Sequence, residues 1–386
     1  ENHNFIRLWV QEVSSYSRQA TPVLFTQISV KADGRPTYDL TKVNPAYIQR
    51  LQQRVSAAQA RGIYVSVMLF QHYSTTVSGF SWHAFHRDNN INGISGDING
   101  NGDGFEIHTL ANASITAMWE SYVRQIVTAV NQYDNVIFEI GNELPPDMKD
   151  FQYHFVNFIR SVETGLAKKH LVSMHSDGGA PPDDLALLMA SPADVISPGA
   201  DNNTNPYMNN PPPATCSKII MNDTDHLWGN GGDRFWAWKS FTRGLHVIFM
   251  DSFHDRSDRA YSREAWNLPT DIGLRHAMGH TLSYAKRVDM ARMTPRGDLT
   301  STGYALVDPG QKYIVYNPAG GYFTVNLAAA QYNFEWFNSG TRVVAGTGSF
   351  SASAGNRTFT PPFSGDAVLF LSAAPPPTDT AAPFVP

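Results

Sequence analysis

The chain has 386 residues, 42% hydrophobic, 12% aromatic and 16% charged, with a net charge of −5. That length and apolar share suffice for a full-sized core plus a smaller module. The acidic balance argues against a nucleic-acid or anionic-membrane surface, and no apolar run has the length of a membrane span. A single cysteine, Cys216, excludes an intrachain disulfide and a cysteine-rich zinc site.

The first ten residues run without an initiator Met into a strand-like stretch, Asn4–Val10. Further strand candidates are Ile63–Phe70, Val136–Ile140, Leu171–His175, Asp194–Ser197, Lys218–Asn222 and Leu245–Met250. Amphipathic stretches with helical spacing lie between them, among them Pro45–Arg61, Ile115–Gln132 and Phe151–Lys169. Strand-helix alternation over residues 1–293 predicts a parallel α/β fold. Polar residues follow nearly every strand, which suits a (β/α)8 TIM barrel better than a doubly wound sheet with one crevice. Seven strands are countable, so the first barrel strand is expected upstream of Glu1. Val23–Val30 would otherwise join the barrel, but an excursion is the favoured reading.

From about residue 294 helical periodicity gives way to short alternating runs separated by turns such as Asp308-Pro-Gly310. A small antiparallel β-sandwich is expected over 294–373. Residues 374–386, rich in Pro, Thr and Ala, read as a linker, so further modules of the same polypeptide are expected.

The stretch Val136-Ile-Phe-Glu-Ile-Gly-Asn-Glu143 is the most informative. A buried strand stopped by Gly141 would deliver Asn142 and Glu143 to the catalytic end of a barrel. A carboxyl beside an amide able to hold a sugar hydroxyl is a means of presenting a general acid to a glycosidic bond. Retaining hydrolysis needs a second carboxyl about 5 Å away. The run Lys218-Ile-Ile-Met-Asn-Asp-Thr-Asp-His226 supplies Asp223 at a strand end, with Asp225 on the same face. Either aspartate could be the nucleophile. Glu139 alternates with Glu143 and is expected to be a buried, paired supporting acid.

His175, Asp177, His226, Trp228 and Asp251 follow strands and are candidates to line a sugar pocket, with Trp82 and Phe85 in a long loop that could cover it. Two carboxyls suffice for the chemistry, so no cofactor is required. Asp97, Asn99, Asn101 and Asp103 stand at alternate positions among glycines, a spacing that suits a structural Ca²⁺ ion. A loop held by its own side chains is the other reading.

Phe5-Ile-Arg-Leu-Trp9, Val136–Glu143 and the strand reaching Asp223 resemble the second, fourth and seventh strands of the large clan of retaining glycosidases built on (β/α)8 barrels. That resemblance implies that Arg7 orients the carboxylates, Asn142 contacts the sugar 2-hydroxyl and Glu143 is the acid/base. Asp223 departs from the clan, which has Glu there. More closely, Arg61–Phe70 and Asp225-His-Leu-Trp-Gly229 resemble bacterial apiosidase-like proteins, and the tail module resembles a domain type named for collagen binding. The implied protein is a secreted bacterial glycoside hydrolase whose partner is a poly- or oligosaccharide. A non-catalytic carbohydrate-binding or structural protein on the same scaffold is the alternative, and the lack of a Gly-x-Ser-x-Gly element lowers an esterase reading.

Overall fold

A computed structural model of the chain describes residues 3–9, 22–175, 183–198, 206–225, 227, 232–249 and 269–374. These fall into two compact units, one of residues 3–198 and 218–227, the other of 206–217 and 232–374.

In the first unit, β1 (Phe5–Leu8) is followed by a hairpin, β2 (Phe25–Val30) with β3 (Pro36–Val43). The hairpin forms its own two-stranded sheet, so this segment is an excursion, as the sequence suggests. Then come α1 (Pro45–Gln59), β4 (Tyr64–Gln71), α2 (Val77–Phe80), α3 (Ala113–Val130), β5 (Val136–Asn142), α4 (Lys149–Glu163), β6 (Leu171–His175), α5 (Asp183–Ala190), β7 (Val195–Ser197) and β8 (Ile219–Asp223). These strands make a barrel-like α/β sheet in the order β1-β4-β5-β6-β7-β8, and the strand expected over Leu245–Met250 is β9 (His246–Ile248), in the second unit. Neighbours from β1 to β8 pair in parallel. All seven strands expected from the sequence are present.

The helices form where the sequence caps and patterns them. Asn44 accepts the N–H of Ala46 ahead of Pro45 in the first turn of α1, and Asn112 accepts those of Ser114 and Ile115 at α3. Ile115, Trp119, Tyr122, Ile126 and Val130 recur at helical spacing and bury one face of α3. The Tyr122 hydroxyl donates to the Leu69 carbonyl at 3.0 Å, which ties that helix to β4. Helix α4 stops at Glu163, short of the expected Lys169. The buried Glu163 carboxylate accepts the N–H of His170 at 3.0 Å and meets its Nδ1 at 2.6 Å, which turns the chain back towards β6.

The second unit contains α6 (Arg234–Thr242), α7 (Pro269–Ala285) and strands β10 (Thr294–Pro295), β11 (Ala305–Asp308), β12 (Lys312–Asn317), β13 (Phe323–Leu327), β14 (Ala330–Asn338), β15 (Val343–Ala352), β16 (Gly355–Phe359) and β17 (Ala367–Ala373). A six-stranded sheet, β10-β11-β12-β17-β14-β15, faces the pair β13-β16. Tyr313, Val315, Val325, Tyr332, Trp336 and Leu369 interlock between them, the core of an antiparallel sandwich. Trp238 of α6 packs on Tyr284, Tyr316 and Phe337, covering the outer face of the larger sheet. Among the described residues no helix is long and apolar enough to cross a membrane.

Candidate active site

Strand β5 is buried along its whole length although it carries Glu139 and Asn142. A buried carboxylate must be paired, and Arg7 of β1 pairs this one through two nitrogens. Arg7 Nη2 lies 2.5 Å from Glu139 Oε1, and Nε donates to Oε2 at 3.1 Å. Ser66 of β4, in register with Arg7, donates to Glu139 Oε2 at 2.7 Å. His175, at the end of β6, is buried with Nε2 3.8 Å from Glu139 Oε1. Burial on its own would raise the Glu139 pKa. The Arg7 and His175 charges and the hydrogen bonds from Arg7 and Ser66 outweigh it and hold the carboxyl at about 2. Burial likewise opposes the charge on Arg7, but Glu139, Asp223 and Asp225 overcome that and raise its pKa.

The same guanidinium spans the site. Its Nη2 also donates to Asn142 Oδ1 at 2.9 Å, and its Nη1 to Asp223 Oδ2 at 3.2 Å. Asp225 Oδ2 lies 3.5 Å from Nη1. Arg7 thus joins the end of β5 to the end of β8 and stacks over the half-exposed Trp9 ring at 5.7 Å. One cation faces three carboxylates and one amide, delivered by β5, by the end of β8 and by the turn just after it.

Glu143 follows directly on β5. Its backbone is left-handed, with φ 54°, and its side chain is half-buried. A non-glycine residue held there stores strain that concentrates at functional sites. Gly141 does not stop the strand, which continues through Asn142. Its role is steric: a Cβ at Gly141 would lie 2.5 Å from Leu144 Cδ1 and 3.1 Å from the Phe70 carbonyl oxygen. The glycine lets β4 and the chain after Glu143 close on the strand end, and this fixes where the Glu143 backbone turns.

Other expected site residues fare differently. Asp177, His226, Trp228 and Asp251 lie outside the described residues. Phe85 is not part of a cover: it is fully buried, with its ring 4.6 Å from that of Trp119. Ser66 and Trp9 were not singled out by the sequence reading. The signal for Ser66 was a lone hydroxyl inside the apolar run of β4.

The loop 97–106 is laced by its own side chains. Asp97 Oδ1 accepts the N–H of Gly100 at 2.6 Å and Oδ2 that of Gly102 at 3.0 Å, while Asn101 Oδ1 accepts that of Asp103. Asn99 Nδ2 donates to Glu106 Oε1. Glu106 Oε2 is buried with no hydrogen-bond partner. Among the described residues no three His, Cys, Asp or Glu side chains converge as a metal cluster.

A barrel-like parallel sheet that gathers an arginine, an amide and carboxylates at its strand ends defines a glycosidase of the α/β barrel class. The cellulase family, glycosyl hydrolase family 5, matches residues 3–218, more than half of the chain. The chain belongs to that family and is a glycoside hydrolase. Solved structures agree on the fold. One described as a glycoside hydrolase superposes with a TM-score of 0.62 at 13% identity over 97% of this chain and 86% of its own. A glycoside hydrolase family 5 protein from Bacteroides vulgatus gives 0.62 at 14% identity over 96% and 83%. No curated protein sequence matches the chain.

Proposed function

We propose that the protein is a secreted bacterial enzyme that cleaves a poly- or oligosaccharide with retention, with Glu143 as acid/base and a β8 aspartate as nucleophile. The observation that carries this reading is the Arg7 bridge. One guanidinium binds Asn142, the neighbour of Glu143, at 2.9 Å and Asp223 at 3.2 Å, so both strand ends are referenced to one rigid plane. Preorganised charge of this kind is what a glycosyl-transfer transition state requires. Arg7 would orient the carboxylates and Asn142 would hold the sugar 2-hydroxyl. His175 would act from beneath, through Glu139. Asp177, His226, Trp228 and Asp251 complete the proposed sugar-binding set.

In the first step the Glu143 proton passes to the leaving oxygen as an aspartate oxygen bonds to the anomeric carbon. In the second, Glu143 takes the proton of the water that displaces the aspartate. Proton NMR of the first-formed sugar from an activated aryl glycoside tests the stereochemistry. The substrate's own anomer is expected, and the opposite anomer would replace this mechanism with inversion.

A structural Ca²⁺ ion in the 97–106 loop belongs to the same reading. Support comes from the orphaned, buried Glu106 Oε2 beside Asn99, with Asp97, Asn101 and Asp103 supplying further hard oxygens. The ion would fix the loop and take no part in the chemistry.

A further inference from the structure

Two acids stand at the end of β8, and a double-displacement mechanism needs one nucleophile. Building on the retaining reading, we infer that Asp225 forms the glycosyl–enzyme ester and that Asp223 is a positioning residue acting through it. The Asp223 side chain is 1% exposed, against 15% for Asp225. Both Asp223 oxygens are engaged within the protein: Oδ2 accepts from Arg7 Nη1 at 3.2 Å, and Oδ1 accepts the backbone N–H of Asp225 at 3.0 Å. A carboxylate held in this way cannot turn an oxygen towards an anomeric carbon without giving up a buried, charge-assisted bond.

Asp225 lies two residues past the strand end, and its Oδ2 sits 3.5 Å from Arg7 Nη1. At that separation no hydrogen bond to Arg7 ties up its lone pairs. Asp223 then sets the turn by receiving the Asp225 N–H and holds Arg7 between the two acids.

The chemistry balances with these groups alone. An Asp225 oxygen bonds to the anomeric carbon while the bond to the leaving oxygen breaks and Glu143 protonates that oxygen. Water then bonds to the anomeric carbon, Glu143 takes its proton, and the bond to Asp225 breaks to restore the carboxylate.

The test is covalent trapping of the full chain with 2,4-dinitrophenyl 2-deoxy-2-fluoro glycosides of the gluco, galacto, xylo and arabino series, followed by intact-mass and peptide mass spectrometry. A single fluoroglycosyl adduct on Asp225 is expected. An adduct on Asp223 overturns the assignment and leaves the retaining reading standing. No adduct, together with an inverted NMR product, removes both. Two variants separate positioning from fold. Asp223→Asn keeps an oxygen to receive the Asp225 N–H and should lower kcat about tenfold with KM nearly unchanged and the adduct still on Asp225. Asp223→Ala should lower kcat about 100-fold, so that the asparagine variant rescues most of the loss. With azide added, Asp225→Gly should regain turnover and release a glycosyl azide of inverted configuration. Azide rescue of Asp223→Gly instead would refute the inference.

Discussion

Strands β5 and β17 are both central in their sheets and both buried, yet they are built from opposite chemistry. β17, Ala-Val-Leu-Phe-Leu-Ser-Ala, places Ala367, Leu369 and Leu371 in the sandwich core. Its other face is covered in turn, Phe370 lying 5.8 Å from Tyr284 of α7. β5 buries Glu139 and Asn142 among residues equally hidden from water. Apolar burial stabilises directly, whereas a buried carboxylate must first offset its desolvation. The sandwich strand is what a sheet looks like when packing is its task. The barrel strand carries ionised groups that Arg7, Ser66 and His175 must neutralise and hold, and this departure from the apolar rule marks the site.

The contrast can be tested most sharply at the proposed acid/base. Glu143→Gln should lower turnover of an activated aryl glycoside about 10³-fold, in the range for loss of a general acid/base, and leave the melting temperature within a degree or two. Undiminished turnover would remove Glu143 from the chemistry. Arg7→Ala should cost both function and about 3–5 kcal/mol of stability by urea unfolding, because it strands Glu139 and Asp223 as buried charges. Leu369→Ala in β17 should cost about 2–5 kcal/mol through its cavity but leave kcat/KM per folded molecule unchanged. Equal loss of kcat/KM in both variants would erase the distinction between the two strands.

The Glu139 pKa gives the contrast a pH dependence. Its folded value, about 2, lies below its ordinary 4.5. The stability it contributes is therefore complete above about pH 4.5 and is lost as pH falls towards 2. The stability gap between the native chain and Glu139→Gln should be widest at neutral pH and should close across that window. A gap independent of pH would mean that Glu139 is not held ionised. The smallest effect expected concerns the 97–106 loop. Removing Ca²⁺ with EDTA should lower the melting temperature by about 2–4 °C, the shift that about 1 kcal/mol gives in a unit this large. No shift would leave the loop held by its own hydrogen bonds.

Much of the first unit was legible because parallel strands buried on both faces must be continuous apolar runs, and each such run from Asn4–Val10 to Leu245–Met250 forms a strand. The sandwich was legible through its alternation, although β11 was hidden by a run too short to alternate clearly. Details that depend on neighbours were not readable. Gly141 looked like a strand stop, but Leu144 and the Phe70 carbonyl make it a close-approach glycine inside the strand. Phe85 looked like a pocket cover, but Trp119 makes it core. Ser66 had no meaning until Glu139 stood 2.7 Å away.

By itself the sequence determined the strand rhythm, the sandwich and the presence of Asn142-Glu143 at a strand end, because periodicity and turn residues act over a few positions. The tertiary structure alone decided which charges meet. Arg7 lies 132 positions from Glu139 and 216 from Asp223 along the chain, and only the curl of a parallel sheet brings one guanidinium within reach of both acids. Electrostatics falls off with distance in space and not along the chain. The pattern of residues could therefore point to a candidate acid, while the fold had to bring the other charges together.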